Sequence, residues 1–202
     1  IWTAKKRYIL NVHDNEGVRL AEPKLKMMGI ETAKSSTPQW VRTKLTDAFK
    51  VVMSGTEQDL WEFVENARKE FRNLPPEEAA FPRGCKNLAQ YSDPTHIYGK
   101  GTPIHTRGAL LYNHHLGKKN VDMRYEKIKN GEKIHFTYLT TPNPINENVI
   151  SFMNVLPREF DLHRFVDYDM QFDKAFVEPL KVVVNLINWN VEPVASLDSF
   201  FG

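Results

Sequence analysis

Thr37-Pro38-Gln39-Trp40-Val41 and, after one long amphipathic stretch, Gly55-Thr56-Glu57-Gln58-Asp59 decide how this chain folds. Thr37 is a good N-cap, and Pro38 suits the first helical position, where its missing N–H costs nothing. Val41, Leu45, Ala48, Phe49 and Val52 then recur at helical spacing until Gly55 stops the helix. A second helix opens at Thr56, with Asp59 three residues later in capping-box style. Leu60, Phe63, Val64, Ala67 and Phe71 form its apolar stripe, and Arg68, Lys69 and Arg72 in its last turn favour the C-terminal dipole. Together the two make an antiparallel helical hairpin whose stripes are core, not a cofactor box.

Upstream, Lys5-Lys6-Arg7-Tyr8 opens an apolar strand, Tyr8 to Val12, that runs into a turn over His13 to Gly17; a connector follows from about Pro23 to Glu31. Side chains on a strand alternate between faces, so Lys6 and Tyr8 share one face and Lys5 and Arg7 the other. Downstream, Leu74-Pro75-Pro76 breaks the helical pattern, and Glu77 to Ala80 adds a short helix. Phe81 to Gly101 is a Gly- and Pro-bearing segment, after which Thr102-Pro103 starts a helix that reaches Leu116, with Gly117 as its stop. Residues 118–131 form a polar, basic loop. Ile134, Phe136 and Tyr138, and part of Val149 to Phe152, alternate as two short strands. A last helical stretch spans about Asp167 to Ile187, interrupted near Pro179, and residues 188–202 read as an extended tail.

A chain of 202 residues holds one large domain or one and a half, with apolar content enough for a core. The single Cys85 excludes an intramolecular disulfide framework and suits a reducing cytoplasm. No apolar run is long enough to cross a bilayer, so no membrane is expected as a partner. The start at Ile1-Trp2-Thr3, without an initiator Met, reads as a piece of a larger polypeptide or half of a split one. Net charge is only +2, but it alternates along the chain: +5 over residues 1–50, −4 over 51–82, +6 over 83–133 and −5 over 134–202. Two basic segments around an acidic one fit a molecule that turns one side to phosphate. Ordinary fluctuation in a charged surface gives the same numbers.

The order of several blocks resembles the end of the palm and the start of the thumb in family B DNA polymerases, in particular the replicative polymerases of T-even-type phages. Those blocks are Lys5 to Tyr8, Leu25 to Thr32, Lys34 to Pro38, Lys86 to Tyr91, Ile104 to Asn113, Phe172 to Leu180 and Ser196 to Phe201. Residues 118–160 match weakly. The resemblance implies an α+β chain: a mainly helical thumb with a small β insertion, preceded by a β-hairpin remnant of the palm. Residues 1–30 would end the palm, 31–187 would be the thumb, and 188–202 a sliding-clamp-binding tail.

What the resemblance implies for function is a grip on primer–template DNA, in the cytoplasm of an infected bacterial host. Lys5 and Lys6 would contact the minor groove at the primer end, where every correct pair offers purine N3 and pyrimidine O2 as acceptors. Arg7 and Tyr8 would steady the primer backbone. Lys34, Ser35, Ser36 and Thr37 precede a helix N-terminus that favours phosphate, although a plain cap accounts for Thr37 equally well. Arg83, Lys86, Asn87, Arg107, Tyr112, Asn113, Lys118 and Lys119 make a second candidate surface for duplex phosphates. Arg107 and Asn113 serve as well as ties between a helix and its neighbouring loops. Leu197, Phe200 and Phe201 resemble a clamp-binding plug, with Val194 where the family carries Gln.

No catalytic residue and no metal ligand is assigned within the chain. The Asp-Thr-Asp-Ser motif of the palm is absent, so an upstream N-terminal portion would hold Mg2+ and carry catalysis. Asp167-Tyr168-Asp169 has the spacing of a two-carboxylate motif but precedes a helix, where acids favour the N-terminus. His96, His105, His114, His115 and Cys85 do not have the spacing of a zinc set. Two alternatives stand: a self-standing, sequence-neutral DNA-binding or clamp-adaptor protein, and a small metal-dependent nuclease using Asp167 and Asp169.

Overall fold

The structure, a computed structural model, describes residues 1–4, 7–15, 18–28 and 34–193. It is α+β, and it divides into two compact units: Ile1–Phe71 with Phe172–Gly202, and Arg72–Gln171.

The first unit opens with a three-stranded antiparallel sheet, β1 (Trp2–Ala4), β2 (Arg7–Asn15) and β3 (Val18–Met28), with β2 in the middle. Ile9 is fully buried while Leu10 is exposed, the period of two that a half-buried strand requires. The strand outruns the turn expected from His13: Asp14 pairs with Arg19 and Asn15 with Val18, across a register shift after Val12. The connector expected from Pro23 is strand as far as Met28. Pro23 offers no N–H to a ladder, and its place beside that irregularity is where a strand tolerates proline.

Helices α1 (Gln39–Ser54) and α2 (Glu57–Phe71) follow. The helix begins one residue late relative to Thr37 as cap; Pro38 takes the N-cap position and its carbonyl accepts the Arg42 N–H. Val41, Leu45, Ala48, Phe49 and Val52 are the buried positions of α1, as the spacing implied. The capping box at α2 is complete: Thr56 donates its N–H to Asp59 at 2.7 Å, and Asp59 donates its own to Thr56 Oγ1 at 3.2 Å. Phe71 ends α2 with its ring 5.3 Å from Trp40.

In the second unit, short helix α3 (Pro76–Ala79) leads into β4 (Phe81–Gly84), then α4 (Leu88–Tyr91) and α5 (Ile104–Lys118). Strands β5 (Lys133–Tyr138) and β6 (Val149–Phe152) complete an antiparallel sheet in the order β4-β5-β6. Helix α5 packs against β6 through Gly108, where a Cβ would lie 2.4 Å from Ser151 Oγ and 2.8 Å from Ser151 N. That absence of a side chain lets helix and strand approach, and it explains why all four residues of β6 are buried instead of alternating. Gln171, fully buried, closes the unit by donating Nε2 to the Ala79 carbonyl at 2.9 Å and accepting the Tyr138 N–H at 3.3 Å.

Helix α6 (Tyr168–Phe172) begins the last helical stretch, one π turn over Asp173–Val177 joins it to α7 (Glu178–Val184), and a 3-10 turn over Asn185–Ile187 ends it. The Glu178 N–H reaches back five residues to the Asp173 carbonyl, which moves the register just ahead of Pro179. Of the tail read as extended from residue 188, the described part, Asn188–Pro193, lies along α2: Trp61 Nε1 donates to the Asn190 carbonyl at 2.9 Å, and the Asn190 N–H to Glu57 Oε1 at 2.5 Å. Val191 is buried.

Candidate nucleic-acid interface

In the first unit, Lys5 and Lys6 lie outside the described residues, and so do Leu197, Phe200, Phe201 and Val194. Arg7 opens the central strand opposite Ala4, and Tyr8, half-buried, pairs with Trp2 on one side and Met28 on the other. Lys34 and Ser35 are exposed and Ser36 is half-buried on a turn closed by the Thr37 N–H on the Lys34 carbonyl at 3.2 Å. Thr37 is 4% exposed, so the turn offers a ligand Lys34 and Ser35 before Thr37.

On the helical hairpin of that unit, four cations are answered by the chain itself. Lys44 pairs with Glu70 at 2.5 Å, Lys50 with Asp47 at 2.8 Å and Lys69 with Glu65 at 2.7 Å. Arg68 holds both Asp173 at 2.8 Å and Glu192 at 2.6 Å, over the ring of Phe172.

The second unit is different. Arg83 stands exposed on the edge strand β4. Burial chiefly, and then the Arg83 charge, lower the pKa of His105. Lys86 and Asn87 are exposed on the next loop, with Asn87 in the left-handed region at φ 58°. Lys118 and Lys119 are exposed at the C-terminus of α5. Lys100, Lys127, Lys129 and Lys133, not singled out from the sequence, are exposed as well. Among the described residues, none of these eight cations takes part in an ion pair, whereas Arg124 of the same stretch pairs with Glu159. A cation with no partner can meet a phosphate without first breaking a bond inside the protein.

Three expected contacts have other work. Tyr112 is only 2% exposed, its ring 5.8 Å from Phe160 and its phenol pushed up to about 12 by burial; it cannot reach a phosphate from there. Arg107 donates to Asn148 Oδ1 and lies 5.5 Å from the centre of the Tyr98 ring. Asn113 uses both ends of its amide on the backbone of Ile128. Of the three, Tyr112 faces inward, while Arg107 and Asn113, partly exposed, tie α5 to neighbouring loops. Asp167 and Asp169 are also engaged, the first accepting the Met170 N–H at 3.0 Å as a cap, the second paired with Arg72 at 2.7 Å. Among the described residues no group of three or more His, Cys, Asp or Glu is placed to hold a metal, and no helix is long and apolar enough to cross a membrane.

No family model matches the chain. It is similar to the DNA-directed DNA polymerase of Enterobacteria phage T4, 35% identical over 205 aligned positions that cover 100% of this chain and 22% of the polymerase. It is similar as well to the DNA-directed DNA polymerase of Escherichia phage RB69, 37% identical over 205 positions, 99% of this chain and 22% of that protein. The chain thus spans about a fifth of the length of the curated relatives it matches. From end to end it is homologous to the C-terminal part of the DNA-directed DNA polymerases of T-even-type phages.

Proposed function

We propose that the chain is the C-terminal, thumb-bearing portion of a phage DNA-directed DNA polymerase of family B, which grips primer–template duplex and tethers the enzyme to a sliding clamp. The observation that carries this reading is the run of exposed, unpaired cations from Arg83 to Lys133. Phosphates neutralised by Arg83, Lys86, Lys118 and Lys119 release condensed counterions, so the grip is strong, indifferent to sequence and steeply dependent on salt. Lys5 and Lys6 add donors to the minor-groove acceptors shared by all correct pairs, with Arg7 and Tyr8 beside the primer backbone. Lys34 and Ser35 hold a further phosphate at the start of α1.

Nucleotidyl transfer would fall to an upstream portion, where bound Mg2+ would supply charge stabilisation for the reacting oxygens. Residues of this chain hold the duplex in register for that step. Leu197, Phe200 and Phe201 form the clamp-binding plug. A nuclease reading is disfavoured because Asp167 and Asp169 already serve as a helix cap and an ion pair.

The test is a primer-extension assay with the chain alone, with its upstream portion alone, and with both. Extension is expected only, or at least tenfold faster, with both. Equal extension by the upstream portion alone at low enzyme would remove the grip. Incorporation by this chain alone would remove the division of labour. Duplex cleavage that is lost in Asp167→Ala would favour the nuclease.

A further inference from the structure

Ile128 is held more tightly than its place in a loop requires. Asn113, on α5, donates Nδ2 to the Ile128 carbonyl at 2.8 Å and accepts the Ile128 N–H on Oδ1 at 2.8 Å. One side chain therefore closes both backbone groups of one residue. Two residues on, Asn130 Oδ1 accepts the Leu88 N–H at 2.8 Å. The Gly131 N–H donates to the Cys85 carbonyl at 2.8 Å, and the Cys85 N–H to the Glu132 carbonyl at 2.8 Å. Lys129 donates its own N–H to Glu132 Oε2 at 2.5 Å.

The side chain of Ile128 is 2% exposed, while Lys127 and Lys129 on either side are exposed and in no ion pair. Burial of Ile128 between two exposed neighbours leaves both lysines on the solvent side of the loop. The Asn130 and Cys85 bonds fix the same loop to the segment that carries Lys86 and Asn87. Four polar side chains are thus set on one hydrogen-bonded frame before any ligand arrives, and a ligand that meets them loses less freedom in ordering them.

We propose that Lys127 and Lys129 are phosphate contacts for duplex nucleic acid, and that Asn113 is the positioning residue that presents them. This rests on the reading of the basic surface as a duplex grip. It gives Asn113 a part in binding without a contact of its own, in place of the direct contact expected from the sequence.

The experiment measures affinity of the full chain for a fluorescent duplex of random sequence across a salt series. Each lost phosphate contact lowers the magnitude of the log–log slope by about 0.9. Lys127→Ala with Lys129→Ala is expected to lower it by about 1.8. Asn113→Ala, which removes no charge, is expected to lower it in the same direction, and adding it to the two lysine changes should give no further loss. Asn113→Ala that lowers melting temperature yet leaves the slope intact would reduce Asn113 to a structural role and overturn that half. An unchanged slope in the lysine pair, while Lys118→Ala and Lys119→Ala lower it, would overturn the inference and leave the duplex grip standing. Wild-type binding without salt dependence would remove both.

Discussion

Between Gln39 and Phe71 every lysine, and Arg68, has a carboxylate within reach, some supplied by the same helix and some from elsewhere in that unit: Asp47, Glu65, Glu70, Asp173 and Glu192. Between Arg83 and Lys133 the acids are fewer, and eight exposed cations have none. The first region carries five cations against six acids, the second ten against four. What separates them is whether the fold returns a counter-charge, and only the second region remains electropositive toward solvent. A surface of that kind costs folding something through self-repulsion and draws anionic molecules toward it.

The contrast can be broken most sharply by charge. Lys86→Ala, Lys118→Ala and Lys119→Ala together should weaken duplex binding roughly 100-fold at moderate salt and cut the salt slope by about 2.7. Lys44→Ala, Lys50→Ala and Lys69→Ala together should leave both readings unchanged; an equal loss from this second set would erase the distinction. Next in size is the scaffold beneath the unpaired cations. Gly108→Ala places a methyl against the Ser151 backbone and should destabilise the Arg72–Gln171 unit by about 3 kcal/mol, read from a denaturant midpoint.

A smaller effect distinguishes the units by pH. His115 is 7% exposed against Phe160, and burial first, then His114, Lys118 and Lys119, lower its pKa to about 4 from 6.5. The folded unit binds the proton less well than the unfolded chain. Its stability is therefore complete above pH 6.5 and lost as pH falls toward 4, by on the order of 2 kcal/mol. His115→Phe should flatten that dependence in the melting temperature. Smallest of all, Lys44→Ala should cost under about 1 kcal/mol of stability, since the pair reaches solvent through the exposed Glu70 and is screened.

Much of the helical hairpin was legible because its signals are local: an apolar stripe, a glycine stop and a capping box need only neighbours in sequence. Strand β4 was not, because Pro82 and Gly84 spoil the strand pattern; Pro82 is tolerated on an edge strand that pairs only with β5. The candidate interface divided in the same way. Residue type pointed to Arg83, Lys86, Lys118 and Lys119, which the fold leaves exposed. It also pointed to Tyr112, whose burial depends on Phe160, far off in sequence. Lys127 and Lys129 gave no motif at all, since what sets them is an asparagine one helix away.

The anchoring of Asn190 has a mechanical consequence. Indole, carboxylate and guanidinium from three successive stretches of α2 grip the chain between Asn190 and Glu192. A force applied beyond Pro193 is therefore transmitted to a long, capped helix, with several polar bonds loaded side by side. The root of the terminal segment behaves as a cleat, and strain put on it is carried into the helical pair instead of being absorbed as slack.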